Sequence, residues 1–198
     1  ALNEAVICEL RSMFPDKFAH SNTLEAPDRY ICAHSIIGYD LAEYERTYTL
    51  NTLAKYFDTY LYTKSDTSQL TNVHLVGDAD TLSEMPKIFN LSKINLNMTI
   101  RPIQKGLPLR IFDILGCGGF LMTNYQEELS DMFDIGRELE TYSSLDELID
   151  KCEYYLSHDS EREALAHRGY EKVRSRYTYM HRLTEIFKQS LNANPISS

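Results

Sequence analysis

A mixed α/β domain with a mostly parallel sheet flanked by helices is the fold this sequence predicts, and three observations carry the prediction. Short β-prone runs alternate with helical ones from Phe57 onward, the order a parallel sheet with crossover helices requires. A small polar residue stands three positions before a glutamate at Thr81/Glu84, Asn124/Glu127, Ser144/Glu147 and Ser160/Glu163, which is a repeated helix-start pattern. The asparagine case departs from the strict Ser/Thr form. Finally, 198 residues that are 43% hydrophobic, with 8 Gly and 6 Pro, suffice for one well-buried core but not for two full domains of this kind.

Taken in order, Glu4 to Phe18 spaces Val6, Ile7, Leu10, Met13 and Phe14 as a helix does, until Pro15 interrupts it. Residues 19 to 28 are polar and read as a connection. Arg29 to Tyr56 reads as mainly helical with a break near Gly38. Its second part predicts a buried stripe of Leu41, Tyr44, Tyr48, Leu50, Leu53, Ala54 and Phe57. Strands are predicted at 57–63, 72–76, 94–99, 119–123 and 138–142, joined in one five-stranded sheet. Helices are predicted at 82–92, 107–117, 126–133 and 145–157, followed by two more to about Leu191. The stripe Leu145, Leu148, Ile149, Cys152 and Leu156 should pack on the sheet. The order is Rossmann-like: residues 1–38 form a helical lead-in, 39–191 the Rossmann-like domain and 192–198 a frayed tail.

Composition argues against several classes of main partner, while leaving room for a local basic pocket. A formal charge of −9 argues against nucleic acid or an anionic membrane, both of which need a basic footprint. Cys8, Cys32, Cys117 and Cys152 lack CxxC spacing, so neither a zinc knuckle nor a disulfide framework is expected, and a reducing, cytoplasmic setting fits. No apolar run is long enough to span a membrane, and Ala1 to Leu10 does not read as a secretion signal. The chain opens without methionine, which suggests a processed or excised segment, although methionine removal before alanine is common.

In an open parallel sheet ligands bind beyond the carboxyl ends of the strands. After INLNMT comes TIRPIQKGLPLRIFDILGCGG, which gathers Arg101, Lys105 and Arg110 with Gly106, Pro108 and the start of a helix bearing Asp113. A helix start offers unpaired N–H groups and the positive end of the dipole, which suit a diphosphate, and cations add charge-assisted bonds. Asp113, one to two turns in, is placed to accept from the vicinal hydroxyls of a ribose. On the residues alone, Arg101 and Lys105 stand equally as solvated loop charges, Asp113 as a surface residue and GCGG as a turn before a strand.

The runs EMPKIFNLSKINLNMT, GLPLRIFDILGCGGFLMTNYQEELSDMF and ETYSSLDELIDKCEYYLSHDSEREALAHRGYEKVRSRYTYMHRL resemble the C-terminal domain of CgeB-like, spore-maturation-like glycosyltransferases, over about residues 40 to 188. The resemblance implies the C-terminal half of a GT-B fold, binding a nucleoside diphosphate sugar, a UDP-sugar first among them. The acceptor domain would lie N-terminal and outside this chain, so these residues should bind donor but transfer poorly. It maps the ribose-binding acidic position to Asp113, where related enzymes usually carry glutamate. It maps the diphosphate site to Gly106 and Leu107 with Arg110, Lys105 and Arg101 nearby, and the base to the main chain of Val76 and Gly77. Larger retaining families have an acidic residue eight positions before the ribose-binding one, where this chain has Lys105. The resemblance implies no metal or other cofactor, and the catalytic base and the acceptor stay unassigned. A non-catalytic nucleotide-sugar or protein-interaction module is the alternative.

Competing motifs are weaker. Asp78-Ala79-Asp80 matches the metal-holding DxD pattern, but immediately before a helix start it reads as capping. His20, His34, His74, His158, His167 and His181 show no metal spacing, and His181 reads as core or capping. Neither GxSxG nor a phosphate-loop motif occurs, and GCGGF precedes a strand instead of following one. Tyr44, Tyr48, Tyr56, Tyr60 and Tyr62 are expected in a buried seam in preference to a carbohydrate platform.

Overall fold

A computed structural model describes residues 4–18, 28–103 and 105–193. His20, most of the polar connection and the last five residues of the expected tail lie outside the described residues. The chain divides into two compact units, Ala1–Gly77 with Ile100–Gln104, and Asp78–Thr99 with Lys105–Ser198.

The first unit begins with α1 (Glu4–Met13) and α2 (Pro15–Phe18). Pro15 opens a helix, where its missing N–H costs nothing. α3 (Asp28–Tyr30), a π-helical segment (Ile31–Ile37) and α4 (Gly38–Leu53) follow without interruption. The expected break at Gly38 is therefore a change of helical pitch. Glycine is needed there because a Cβ would lie 2.7 Å from Pro102 Cγ and 3.0 Å from the Ala33 carbonyl oxygen. Ile7, Phe18, Ile31, Cys32 and Ile36 form the core of this unit.

The stripe predicted on α4 is corrected by the structure: Ala42 and Leu53 are its buried residues, whereas Leu41, Tyr44 and Tyr48 are exposed. Periodicity shows which residues share a face; it does not show whether another element covers that face. Tyr44 and Tyr48 stack nearly parallel at 6.2 Å between ring centroids, so each shields the other in place of a core. Tyr56 and Tyr60 are exposed as well, and the buried tyrosine seam is not formed. β1 (Tyr60–Tyr62) pairs in parallel with β2 (His74–Gly77). Their connection is held by Asn51, which donates to the Gln69 carbonyl at 2.9 Å and accepts from Thr71 N–H at 2.7 Å.

The second unit contains α5 (Met85–Leu91), β3 (Asn95–Asn97), α6 (Leu109–Gly116), β4 (Leu121–Asn124), α7 (Leu129–Met132), β5 (Glu140–Tyr142) and the helices α8 (Leu145–Ser157), α9 (Asp159–Arg176) and α10 (Tyr179–Ala193). β3, β4 and β5 form a parallel sheet in chain order, with Leu96 opposite Met122 and Thr123 opposite Thr141. Each strand overlaps its predicted span, with β2 and β4 running one residue past it at Gly77 and Asn124, yet among the described residues they form two sheets, of two and three strands, in place of one sheet of five. Local residue preference marks a strand, whereas the ladder it joins depends on packing far along the chain. Ile111, Ile114 and Leu115 of α6, with Leu121, Leu129, Phe133, Leu139 and Val173, make the core. α9 crosses so close to the segment leading into β5 that a Cβ on Gly169 would sit 2.3 Å from the Glu138 carbonyl oxygen.

Of the four helix starts, one forms as predicted: Ser144 Oγ accepts from Glu147 N–H at 3.2 Å, and Glu147 accepts from Ser143 N–H at 2.8 Å. At the first, α5 begins only at Met85 and carries no side-chain cap, while Asp80 instead closes the turn ahead of it, accepting from Leu82 N–H, Ser83 N–H and the Ser83 hydroxyl. The Ser160 start is corrected too, because α9 begins at Asp159, which pairs with Arg162. Asn124 is not a cap either; its amide is used at the sheet edge. The face of α8 includes Tyr155 with Leu148 and Cys152. Tyr155 packs on Phe120 and donates to Glu140 at 2.9 Å, while the Tyr154 ring stacks on His158. The YYLSH run thus serves packing.

Candidate functional site

The sequence Asn95-Leu96-Asn97-Met98-Thr99 alternates polar with apolar, so its three polar side chains share one face. Asn95, Asn97 and Thr99 are buried, and so is Thr123 on the neighbouring strand. Burial of such groups is tolerable only when they are bonded. The Asn97 amide donates to Thr123 Oγ1 at 2.9 Å and to Thr99 Oγ1 at 3.0 Å, and Thr99 Oγ1 donates to Gln126 Oε1 at 3.2 Å. Asn124 completes the edge: its oxygen accepts from Thr99 N–H at 2.7 Å and its NH2 donates to the Thr99 carbonyl at 3.0 Å. A side-chain amide therefore continues the β3–β4 ladder beyond the strands. Among the described residues no buried side-chain polar atom lacks a partner.

The loop into α6 approaches the loop that leaves this edge. Gly106 adopts φ +89°, a conformation that side chains disfavour, and the turn directs its N–H to Glu128 Oε1 at 3.1 Å. Pro108, with φ −59° and ψ 141°, leads into the first turn, where Ile111 N–H bonds back to its carbonyl at 3.1 Å. The N–H groups of Leu109 and Arg110, ahead of it in the first turn, have no acceptor within the helix.

Among the residues singled out from sequence, Lys105, Gly106, Leu107, Arg110 and Asp113 lie together in the second unit. Lys105 and Asp113 are exposed, and Leu107 packs against the core. Arg110 is half-buried: one guanidinium N–H is 3.0 Å from Met85 Sδ, and the group lies over the Phe89 ring at 5.3 Å. Asp113 lies one turn before Cys117, whose thiol is raised by burial and further by the Asp113 charge. Arg101, Val76 and Gly77 belong to the first unit. Arg101 is bonded to Glu45 of α4 at 2.7 Å, and that bond and charge hold the guanidinium more firmly protonated. Val76 is exposed and Gly77 has φ +95°.

Sequence reasoning missed Glu128 and the Asn97, Thr99, Thr123, Asn124 and Gln126 network. The polar alternation in NLNMT was an available signal, since a central parallel strand is usually continuous in apolar residues. Glu128 follows another glutamate, and nothing local distinguishes the two. His181 accords with capping: its ring nitrogen is 2.7 Å from Thr178 Oγ1, and its N–H reaches the same oxygen at the start of α10. No described helix is long and apolar enough to cross a membrane.

A glycosyl transferase-like family model matches residues 41–188, more than half of the chain. The chain belongs to that family. No curated protein matches it. In this glycosyl transferase-like chain the matched span holds the buried polar edge, the Gly106 turn, Arg110, Asp113 and Glu128, whereas α1 to α3 lie before it. Membership supports glycosyl transfer as the class of chemistry.

Proposed function

We propose that this chain is the donor-binding part of a GT-B, CgeB-like glycosyltransferase that acts in the cytoplasm on a nucleoside diphosphate sugar, a UDP-sugar in the first instance. The carrying observation is the Gly106–Pro108 turn, which presents the start of α6 beside the carboxyl edge of β3 and β4 with Arg110 and Asp113 on successive turns. In this reading the diphosphate lies on the free N–H groups at the helix start, where the dipole favours an anion. Arg110 turns from Met85 to a phosphate oxygen; a thioether is a weak acceptor, so little is lost in the exchange. Lys105 adds charge from the loop, and the exposed carboxylate of Asp113 accepts from the ribose hydroxyls. The same donors stabilise the charge that grows on the leaving diphosphate. The site draws on the second unit alone, and the acceptor and its general base belong to a further domain.

Calorimetric titration with UDP and other nucleoside diphosphates tests this reading. Binding is expected, and Asp113→Ala should weaken it by about 1–3 kcal/mol, the usual cost of stranding a polar partner. A folded chain that binds no nucleoside diphosphate overturns the donor site. Unchanged affinity in Asp113→Ala overturns the ribose assignment only.

A further inference from the structure

The N–H of Gly106 already faces an anionic oxygen. Glu128 Oε1 accepts from it at 3.1 Å, across 22 residues of sequence. Glu128 stands immediately before α7, on the loop that leaves β4. That loop is anchored at its base, where Asn124 clasps both backbone groups of Thr99 and Gln126 accepts from the Thr99 hydroxyl. The carboxylate is thus delivered to the turn from a fixed edge. Carboxylate and phosphate oxygens seek the same donors, and two anions close together repel.

We infer that Glu128 is a built-in competitor of the donor diphosphate: it occupies the Gly106 N–H in the empty chain and leaves when a diphosphate takes its place. The inference rests on the donor-site reading above. Gly106 is exposed and Glu128 only half-buried, so the displaced side chain can turn into water. The competition lowers affinity for every diphosphate. It acts most strongly against the nucleoside diphosphate product, which carries more negative charge than the sugar-capped donor, and so favours product release.

The test compares the chain with Glu128→Gln, which keeps an oxygen able to accept from Gly106 but removes the charge, and with Glu128→Ala, which removes both. UDP and inorganic pyrophosphate are titrated into each, and the Gly106 amide resonance is followed by NMR. Both variants are expected to bind UDP more tightly: Glu128→Ala roughly three- to tenfold, the range given by the net worth of one hydrogen bond, and Glu128→Gln by the smaller part that comes from removing the charge. The Gly106 resonance should differ between the chain and Glu128→Gln when free and converge when UDP is bound. If the unaltered chain binds UDP and the variants bind it equally or more weakly, the competitor role is overturned and the donor site stands. If no protein in the set binds UDP, another nucleoside diphosphate or pyrophosphate, both are overturned.

Discussion

The two parallel sheets of this chain invert the usual relation between residue type and burial. β1 and β2 read YLY and HLVG, yet Tyr60, Leu75 and Val76 are exposed. β3 reads NLN, and Asn95 and Asn97 are buried, as is Thr123 beside them. What packs over a strand decides its burial, and α6 and α8, backed by α9, give the second sheet cover that the first does not have among the described residues of its own unit. The polar residues inside that cover are accommodated because each has a partner. Polar groups fixed in this way at the carboxyl edge form a rigid base for the neighbouring loops, which is where a ligand of such a sheet is expected.

The contrast predicts a graded response to substitution. The largest effect is expected for Leu115→Ala, which empties a fully buried position in the core beneath α6; urea unfolding should show a loss of about 2–5 kcal/mol. Next comes Thr123→Val, which removes the oxygen that receives Asn97. A loss of about 1–3 kcal/mol is expected, with faster hydrogen exchange at β4, and an unchanged midpoint would show that the polar edge adds nothing to stability.

A smaller, pH-dependent effect is expected outside the core. The Lys151 ammonium, and after it the Ser143 N–H, hold the Glu147 carboxyl below its ordinary range; Arg162 does the same for Asp159. A carboxyl depressed in the folded state adds stability above its ordinary value, and that contribution is lost as pH falls through the depressed one. The thermal midpoint should therefore drop between about pH 5 and about pH 3, with Glu147→Gln reducing the drop. An identical pH profile in the variant would remove Glu147 from the account. The smallest change is expected for Leu75→Ala on the exposed sheet, within about 0.5 kcal/mol. A loss comparable to that of Leu115→Ala would abolish the contrast between the sheets.

Local features were legible in the sequence. Every strand overlaps its predicted span, two of them running one residue past it, and the 145–157 helix matches at both ends because a sheet-facing stripe and a capping pair coincide there. The cluster from Lys105 to Asp113 was visible because its charges, glycine and helix start are contiguous. Long-range choices were not legible. The first start was displaced to Met85, because Asp80 bonds Leu82 and Ser83 and so closes a turn where the sequence predicts the first helical residues. Arg101 bonds to Glu45, 56 positions away, and the carboxylate facing Gly106 comes from 22 positions away; no local pattern announces either partner.

Asparagine at position 124 carries a consequence for relatives of this chain. Its amide offers a donor and an acceptor side by side, as a peptide unit does, and so acts as an extra rung cut from a side chain. Aspartate would present only the acceptor, and glutamine would set the amide one methylene too far out. The identity of this residue is therefore a readable mark. A sequence with asparagine ending the corresponding strand fastens the following loop at the same point, whereas one without it requires another fastening to bring its carboxylate to the glycine turn.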